Sequence, residues 1–383
     1  MTTRRGFLKG AAAGGLVFCT CGLQDAARAA AGAAGGNAAG ATGSTNLAPR
    51  HHLPVMVKGK RIRTIDMHSH CYFHDAIKLM GDDAKHVLPP VKGVDEMFIP
   101  ADDHTEVQRR LTAMDNMGID MEVLSINPYW YGKDRETAGA ICKIHNQHFA
   151  ELRAAYPKRF SAFASLSLQY PDLAAQELET AMKSQGLAGA AIGSTVNGTA
   201  FSDPQFHPVW AKAEELGATL FIHPQTQPEM AKRYKGNGWL SNTIGNPLDT
   251  TIALEHLIFQ GTLDKFPKLK ILAAHGGGYV DSYSARMDYP CGVSPQNCDP
   301  TIKLKKEPSA YIRDIHVDAM VFTPEALKYL ISQVGIDKIV LGTDYPIPWE
   351  LHPIDRVYAT KLTDAERIAI FRDNAQKLMG IKL

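Results

Sequence analysis

The sequence has 383 residues, of which 45% are hydrophobic and 21% are charged, and its formal net charge is +1. This is the composition of an ordinary globular protein, and the length suffices for one large α/β domain or two smaller ones. Because the charge is near neutral and no basic run occurs, a nucleic-acid-binding surface is not expected.

The N-terminal residues 1–30 have the pattern of an export signal. Arg4 and Arg5 precede a Phe-Leu-Lys triplet and a weakly apolar run at 11–18, an arrangement that resembles a bacterial twin-arginine signal. Residues 27–29 offer a small-x-small cleavage site. The apolar run is too short for a permanent membrane helix. We predict a periplasmic protein exported folded through the twin-arginine pathway, with no other membrane association; a cytoplasmic protein with a chance Arg-Arg pair is the alternative.

The rest of the chain alternates between strand-like and helical patterns. Residues 31–48 are mostly Ala, Gly, Ser, Thr and Asn, a low-complexity linker, so the folded domain is predicted to cover 49–383. Predicted strands are 64–70, 121–126, 160–166, 187–193, 219–223, 269–275, 315–320 and 338–344. Predicted helices are 106–117, 137–156, 172–184, 204–216, 247–260, 324–333 and 364–379. The segment 71–103, rich in Pro, Gly and Asp, is predicted to be a small lid inserted after the first strand.

This alternation predicts the fold class. Strands that are apolar on both faces and are followed by helices favour an α/β fold, a (β/α)8 barrel of the TIM type. A doubly wound open sheet is the alternative architecture. It would place a glycine-rich phosphate-binding turn after the first strand, where this chain has His68-Ser69-His70 instead.

Polar residues end several of the predicted strands, at the edge where a TIM barrel carries its active site. His68 and His70 project to the same side of strand one because side chains alternate along an extended chain. His223 ends strand five and Asp344 ends strand eight. A solvated strand face would explain the His-x-His pair by itself, but the recurrence favours a metal, since unpartnered imidazoles and carboxylates are costly to bury. The four residues are predicted to bind Zn²⁺, with Mn²⁺ left open because selection also depends on geometry and supply.

The ends of strands four and six refine this prediction. Strand four ends in Gly193-Ser194 and carries no lysine that could become a carboxylated bridge between two metals, so one ion is expected. His275 ends strand six and is followed by three glycines, which let backbone approach closely and leave the ring free. His275 is therefore predicted to be the base or acid that acts on water at the metal. Asp344 is predicted to combine metal binding with proton transfer.

Four separately placed motifs carry a family resemblance. They are Ile65-Asp66-Met67-His68-Ser69-His70, His223-Pro224, His275-Gly276-Gly277-Gly278 and Leu341-Gly342-Thr343-Asp344-Tyr345-Pro346. In this order they resemble the aminocarboxymuconate-semialdehyde decarboxylase-like branch of the amidohydrolase superfamily, from about residue 62 to the C-terminus. Its members are metal-dependent barrels, commonly non-oxidative decarboxylases and sometimes hydrolases or hydratases. The resemblance implies that His68, His70, His223 and Asp344 hold zinc and that His275 deprotonates or orients its water.

The resemblance also implies a homodimer, in which Arg286 reaches into the neighbouring subunit's site and binds a substrate carboxylate. Two positions depart from the decarboxylase pattern: Gln225 replaces the tryptophan after His-Pro, and residues 87–100 contain no arginine to match a second carboxylate-binding arginine. These departures argue against a substrate held by two arginines. Resorcylate-type members carry Glu-x-His on strand one, so the His-x-His of this chain is nearer the zinc-type pattern.

The predicted function is that of a lyase that removes CO2 from an aromatic or unsaturated carboxylic acid. Arg286, Gln225, Tyr129 and Trp349 are predicted to contact this small-molecule carboxylate. One alternative is a hydrolase that uses the same metal site to cleave a C–N, C–O or C–C bond. Another is a periplasmic binding or metal-sequestering protein that has kept the barrel and lost its chemistry.

Overall fold

The structure, a computed structural model, describes residues 53–86, 104–225, 230–349 and 352–381. The predicted export signal, the predicted linker and residues 87–103 of the predicted lid lie outside these ranges. The described part of the lid segment forms a short helix and a 3-10 turn after the first barrel strand. No helix in the described ranges is long and apolar enough to cross a membrane.

Eight parallel strands form the centre of the described chain. They are β1 Ile65–His70, β2 Met121–Ser125, β3 Phe160–Ala162, β4 Gly189–Ile192, β5 Thr219–Ile222, β6 Lys270–Ala273, β7 His316–Asp318 and β8 Ile339–Val340. β1 to β3 pair in sequence order in one sheet, and β4 to β8 pair in sequence order in a second. Parallel bridges from Ala164 to Ala190 and from Asp66 to Leu341 join the sheets at both edges. The strands close into the predicted (β/α)8 barrel.

Helices connect the strands on the outside. They are α1 His74–Met80, α2 His104–Met117, α3 Arg135–Ala155, α4 Pro171–Lys183, α5 His207–Leu216, α6 Asn246–Phe259, α7 Thr262–Lys265, α8 Pro290–Val293, α9 Pro324–Val334, α10 Pro353–Ala359, α11 Asp364–Ile368 and α12 Asn374–Met379. α3 begins after Asp134, whose side chain accepts a hydrogen bond from the Thr137 amide. α5 ends at Gly217, which has a φ of 64°, a left-handed conformation that favours glycine.

The barrel interior is filled by side chains that support the end of β1. Ile65, Met67 and Val123 are fully or almost fully buried there together with Phe163 and Phe221. The rings of Phe163 and Phe221 stack with centroids 5.6 Å apart. The Phe221 ring in turn lies 5.0 Å from the ring of His68. The apolar layer therefore lies directly beneath the polar residues at the strand ends.

Most predicted elements are present with bounds shifted by a few residues, and strands three, six, seven and eight end two to four residues earlier than predicted. β6 ends at Ala273 and β8 ends at Val340. His275 and Asp344 have φ angles of 56° and 58°, and an extended strand cannot continue through this left-handed backbone. The predicted C-terminal helix is divided into α11 and α12 by a π-helical segment, and α10 was not predicted.

Two cysteines form a disulfide in the segment after β6. From the sequence, Cys291 and Cys298 could bridge in an oxidising compartment or could remain free thiols. The structure joins them, with Cα atoms 5.6 Å apart. Cys71 and Cys142, the free cysteines of the described ranges, are buried.

A carboxyl group on α4 predicts a pH dependence of stability. Glu177 accepts hydrogen bonds from the amide and the hydroxyl of Ser167, at 2.6 and 2.8 Å. Burial raises the pKa of Glu177 from 4.5 to about 7. Because the folded-state pKa is the higher one, the stability this group contributes is fully present below about pH 4.5 and is lost as the pH rises through about 7.

We expect Glu177→Gln to remove this dependence. Between about pH 5 and about pH 8, the free energy of unfolding of the wild type should fall by about 2 kcal/mol relative to the variant. Urea unfolding at the two pH values measures the difference. Glu179→Gln is the matched control, because Glu179 lies on the same helix, is partly exposed and pairs with Lys183. The prediction would be contradicted if the free energy of unfolding of Glu177→Gln changed between the two pH values by as much as that of the wild type.

Candidate metal centre

Four side chains predicted from the strand ends converge on one point. The ligand atoms of His68, His70, His223 and Asp344 all lie within 4.8 Å of one another, and the four residues are buried. His68 Nε2 is 3.2 Å from His70 Nε2 and 3.2 Å from Asp344 Oδ1. His70 Nε2 is 2.9 Å from the same carboxylate oxygen. Separations of this size suit atoms that share a metal ion with bonds of about 2 Å.

The backbone brings these residues together from distant parts of the chain. β1 and β2 show a register irregularity between Asp66 and Ser69, and both histidines of β1 face the centre. His223 follows β5 directly and donates its amide to the Ile192 carbonyl at 3.0 Å. The Asp344 amide donates to the His68 carbonyl at 2.8 Å. This bond ties the turn after β8 to β1.

Hydrogen bonds at Nδ1 prepare the imidazoles of His70 and His223 for metal binding. His70 Nδ1 lies 3.1 Å from Ser125 Oγ, whose own hydrogen is donated to a backbone carbonyl at 3.0 Å, so Nδ1 is the donor of the pair. His223 Nδ1 donates to the Pro224 carbonyl at 2.9 Å. In both rings Nε2 is left with a free lone pair directed at the centre. His223 Nε2 is buried and has no hydrogen-bond partner among the described residues.

His68 is the third imidazole directed at the centre. His68 Nδ1 is held at 2.7 Å by a carboxylate oxygen of Asp318, so its Nε2 also faces the centre unprotonated when a cation is bound. Three imidazole nitrogens and one carboxylate oxygen are a donor set that suits a divalent transition metal. A bound cation would also give the buried Nε2 of His223 a partner. Such an atom is costly to bury without one.

The electrostatics of the four residues favour a cation. Burial acts to raise the pKa of Asp344, but the charge of His68 and the hydrogen bonds from His275, His68 and His70 together outweigh it and hold that pKa well below its usual range. Burial lowers the pKa of His70 and of His223. At His68 burial also acts to lower the pKa, yet the carboxylates of Asp344 and Asp318 outweigh it and raise the pKa to about 10. The carboxylates thus favour a positive charge at His68 Nε2, which a metal ion can supply.

His275 lies beside the four converging side chains and is not one of them. Its Nε2 is 3.7 Å from Asp344 Oδ2, and its ring centroid is 5.1 Å from that of His68. The three residues that follow it, all glycines, have φ angles of 66°, 82° and 73°. A Cβ on Gly278 would lie 2.1 Å from the Pro247 carbonyl oxygen, so the turn requires glycine there. This conformation leaves the imidazole partly accessible at the edge of the centre.

One of the predicted substrate-contacting residues, Trp349, lies next to Asp344. Trp349 donates its indole N–H to Asp344 Oδ2 at 2.7 Å and stacks on Trp239 with ring centroids 5.7 Å apart. Burial raises the pKa of the Tyr129 hydroxyl, and the charge of Asp344 adds to this effect. Gln225 donates its side-chain amide to the Pro128 carbonyl at 3.1 Å, so it lies against the loop that carries Tyr129.

Arg286 is placed apart from these residues within the single chain. It lies on the 3-10 segment Ser284–Asp288 and is exposed. Its guanidinium has no hydrogen-bond or ion-pair partner in the described ranges. The structure therefore does not bring this side chain to the centre of its own chain.

The sequence alone assigns no role to Asp318. In the predicted strand 315–320 this residue is mid-strand and ambiguous, whereas in the structure it is the last residue of β7 and is fully buried. It therefore follows the same pattern as the other strand ends. A strand boundary placed two residues earlier would have found it.

Comparison with known proteins identifies the family. The family described as amidohydrolase matches residues 65–381. The chain belongs to the amidohydrolase family.

Relatives of this amidohydrolase include named decarboxylases. It is 32% identical over 276 residues to 2-amino-3-carboxymuconate-6-semialdehyde decarboxylase of Dictyostelium discoideum, covering 71% of this chain and 76% of the relative. It is 30% identical over 304 residues to gamma-resorcylate decarboxylase of Rhizobium radiobacter, covering 74% of this chain and 92% of that protein. The family resemblance read from the four motifs is thereby confirmed.

The solved structure of a relative supports the prediction of a metal site. The dihydroxybenzoic acid decarboxylase of Polaromonas sp. JS666, with bound manganese and the inhibitor 2-nitroresorcinol, superposes with a TM-score of 0.73 at 27% identity. The match covers 83% of this amidohydrolase and 97% of the Polaromonas chain. A metal-containing neighbour and the cluster of three histidines and one aspartate both indicate a metal-binding amidohydrolase.

Proposed function

We propose that this amidohydrolase is a metal-dependent, non-oxidative decarboxylase of an aromatic or unsaturated carboxylic acid. The observation that carries the proposal is the convergence of three Nε2 atoms and Asp344 Oδ1 within 4.8 Å, with His275 beside them. The named activities of the Dictyostelium and Rhizobium relatives give the reaction class. His68, His70, His223 and Asp344 are the proposed ligands.

The bound cation would act as a Lewis acid that polarises a substrate oxygen. In the reaction the bond between the substrate carbon and its carboxyl carbon breaks, CO2 leaves, and the electron pair stays on the substrate carbon. A proton must then take the place of CO2. His275 is the proposed donor, because its ring is partly accessible and adjoins Asp344, and solvent can return the proton.

Asp344 and Trp349 have complementary parts in this arrangement. Asp344 Oδ1 faces the histidines of β1, whereas Oδ2 faces His275 and accepts the Trp349 indole N–H. The indole thus orients the carboxylate, and its exposed face offers a flat apolar surface to a ring. Trp349, Tyr129 and Gln225 are the proposed substrate contacts on this side.

Zinc is the proposed metal, with manganese as the alternative that the Polaromonas relative contains. Three imidazoles and one carboxylate suit either ion, and zinc is favoured because nitrogen donors predominate. We also propose a homodimer in which the exposed Arg286 reaches the neighbouring subunit's site. A guanidinium would bind a substrate carboxylate there through two parallel hydrogen bonds.

We also propose a division of the chain into segments. These are a twin-arginine signal at 1–30, a linker at 31–48, a barrel domain at 49–383 and, within that domain, a lid at 71–103 over the strand ends. The sequence pattern supports export to the periplasm. The Cys291–Cys298 disulfide fits an oxidising compartment.

The proposed function is tested with purified protein of measured metal content. Gamma-resorcylate and a panel of carboxylated phenols are supplied, and CO2 is measured together with the decarboxylated product. We expect equal amounts of both, loss of activity after chelation, and recovery with Zn²⁺ or Mn²⁺. Full activity in metal-free protein would contradict the metal centre. A product that retains its carboxyl group would indicate a hydrolase instead.

A further inference from the structure

A single buried carboxylate, that of Asp318, accepts four hydrogen bonds at the rim of the barrel. Its Oδ2 accepts from His68 Nδ1 at 2.7 Å and from the His275 amide at 2.9 Å. Its Oδ1 accepts from the amides of Gly276 and Met320, both at 3.0 Å. The side chain is fully buried. Asp318 therefore joins one proposed metal ligand to the turn that carries the proposed proton donor.

The barrel is built to allow this contact. Gly342, after β8, lies against both side chains: a Cβ there would come within 2.8 Å of Asp318 Cβ and 3.1 Å of His68 Cβ. A side chain at position 342 would therefore force Asp318 or His68 to shift. The glycine thus keeps the carboxylate within hydrogen-bond distance of the imidazole.

We propose that Asp318 is a positioning residue that sets the tautomer of His68 and the conformation of the His275 turn together. The roles given to His68 and His275 rest on the proposed function, whereas the hydrogen bonds that connect them do not. By accepting the Nδ1 hydrogen of His68, Asp318 leaves Nε2 as the atom that binds the cation. By accepting the amides of His275 and Gly276, it holds a histidine in a left-handed conformation that is rare for a residue with a Cβ.

Asparagine at this position has the shape of aspartate but cannot replace it. The carboxylate offers two accepting oxygens to four N–H donors, whereas an amide offers one oxygen and one NH2 group. In either orientation the NH2 of Asp318→Asn would face two N–H groups. Facing His68, it would favour the opposite tautomer, in which Nε2 carries the hydrogen and cannot bind a metal.

The experiment measures metal affinity and so needs no substrate. The full-length wild type and Asp318→Asn are titrated with Zn²⁺ and with Mn²⁺ against a chelating dye. We expect about 10- to 100-fold weaker binding by the variant. Asp281→Asn is the matched control, because Asp281 is also a buried aspartate and its side chain bonds to Ser282, away from the centre. It should bind metal as the wild type does.

The outcomes separate this inference from the proposed function. A wild type that binds neither metal would overturn the metal centre itself. Tight binding by the wild type with equal affinity in Asp318→Asn would overturn only the role of Asp318. A further readout is steady-state kinetics at saturating metal with gamma-resorcylate, where kcat should fall with little change in KM, because Asp318 does not face the substrate.

A second measurement tests the proposal on the wild type, and it can be made even if Asp318→Asn does not fold. Long-range ¹H–¹⁵N spectra of the metal-loaded wild type report which nitrogen of each imidazole carries the hydrogen. The His68 signals are assigned by their absence from His68→Gln. We expect a hydrogen on Nδ1 of His68, and a hydrogen on Nε2 would overturn the proposal.

Discussion

Replacing His275 by glutamine is expected to lower CO2 release by about a thousandfold, within the range that general acid–base groups contribute. Glutamine fills similar space but has no group that exchanges a proton near neutral pH. Because His275 is not one of the four converging side chains, the variant should bind metal with the affinity of the wild type. Metal content and initial rates with an active carboxylate substrate measure both expectations.

His256→Gln is the control for this variant. His256 lies on α6, is exposed, and its replacement should leave rate and metal content unchanged. Loss of metal from His275→Gln would mean that His275 is a ligand. A rate close to that of the wild type would mean that another group supplies the proton.

Replacing Arg110 by methionine is expected to lower the free energy of unfolding by about 3–5 kcal/mol, the cost of breaking a buried ion pair. Arg110 Nε donates to Glu122 at 2.6 Å, and both side chains are at most 1% exposed. Its Nη1 donates to the His70 carbonyl at 2.7 Å, and its guanidinium lies 4.7 Å from the centre of the Tyr345 ring. The variant would leave Glu122 buried without its cation.

The neighbouring arginine provides the control for this stability effect. Arg109 lies on the same helix, pairs with Glu106 at 2.9 Å and is about half exposed. Arg109→Met should change the free energy of unfolding by less than about 1 kcal/mol, as is usual for exposed pairs. Urea unfolding of both variants at one pH gives the comparison. Equal effects of the two substitutions would contradict a special role for Arg110.

The sequence was sufficient to predict the barrel and the four converging side chains. Apolar strands that alternate with helices are a local pattern, and a TIM barrel brings the ends of all its strands to one face. His68, His70 and His223 could therefore be placed together without coordinates. Asp344 could be included although its strand ends earlier than predicted, because the turn that follows still faces the same end.

The structure was needed wherever the partner of a residue is distant in sequence. Arg110 falls within the predicted helix 106–117, but nothing local shows that its guanidinium reaches β1 and β2. The contact between His68 and Asp318 spans 250 residues. Both contacts depend on how strands and helices pack, which the pattern of a single segment does not encode.

The sequence by itself determined which residue types stand at the strand ends and that they share one face of a barrel. Only the tertiary structure decided which nitrogen of each imidazole faces the centre, because that depends on the acceptor found by Nδ1. For His68 that acceptor is a carboxylate on another strand, and for His223 it is the carbonyl of Pro224. Strand periodicity gives the direction of a side chain, whereas hydrogen bonds to neighbouring elements give its chemical state.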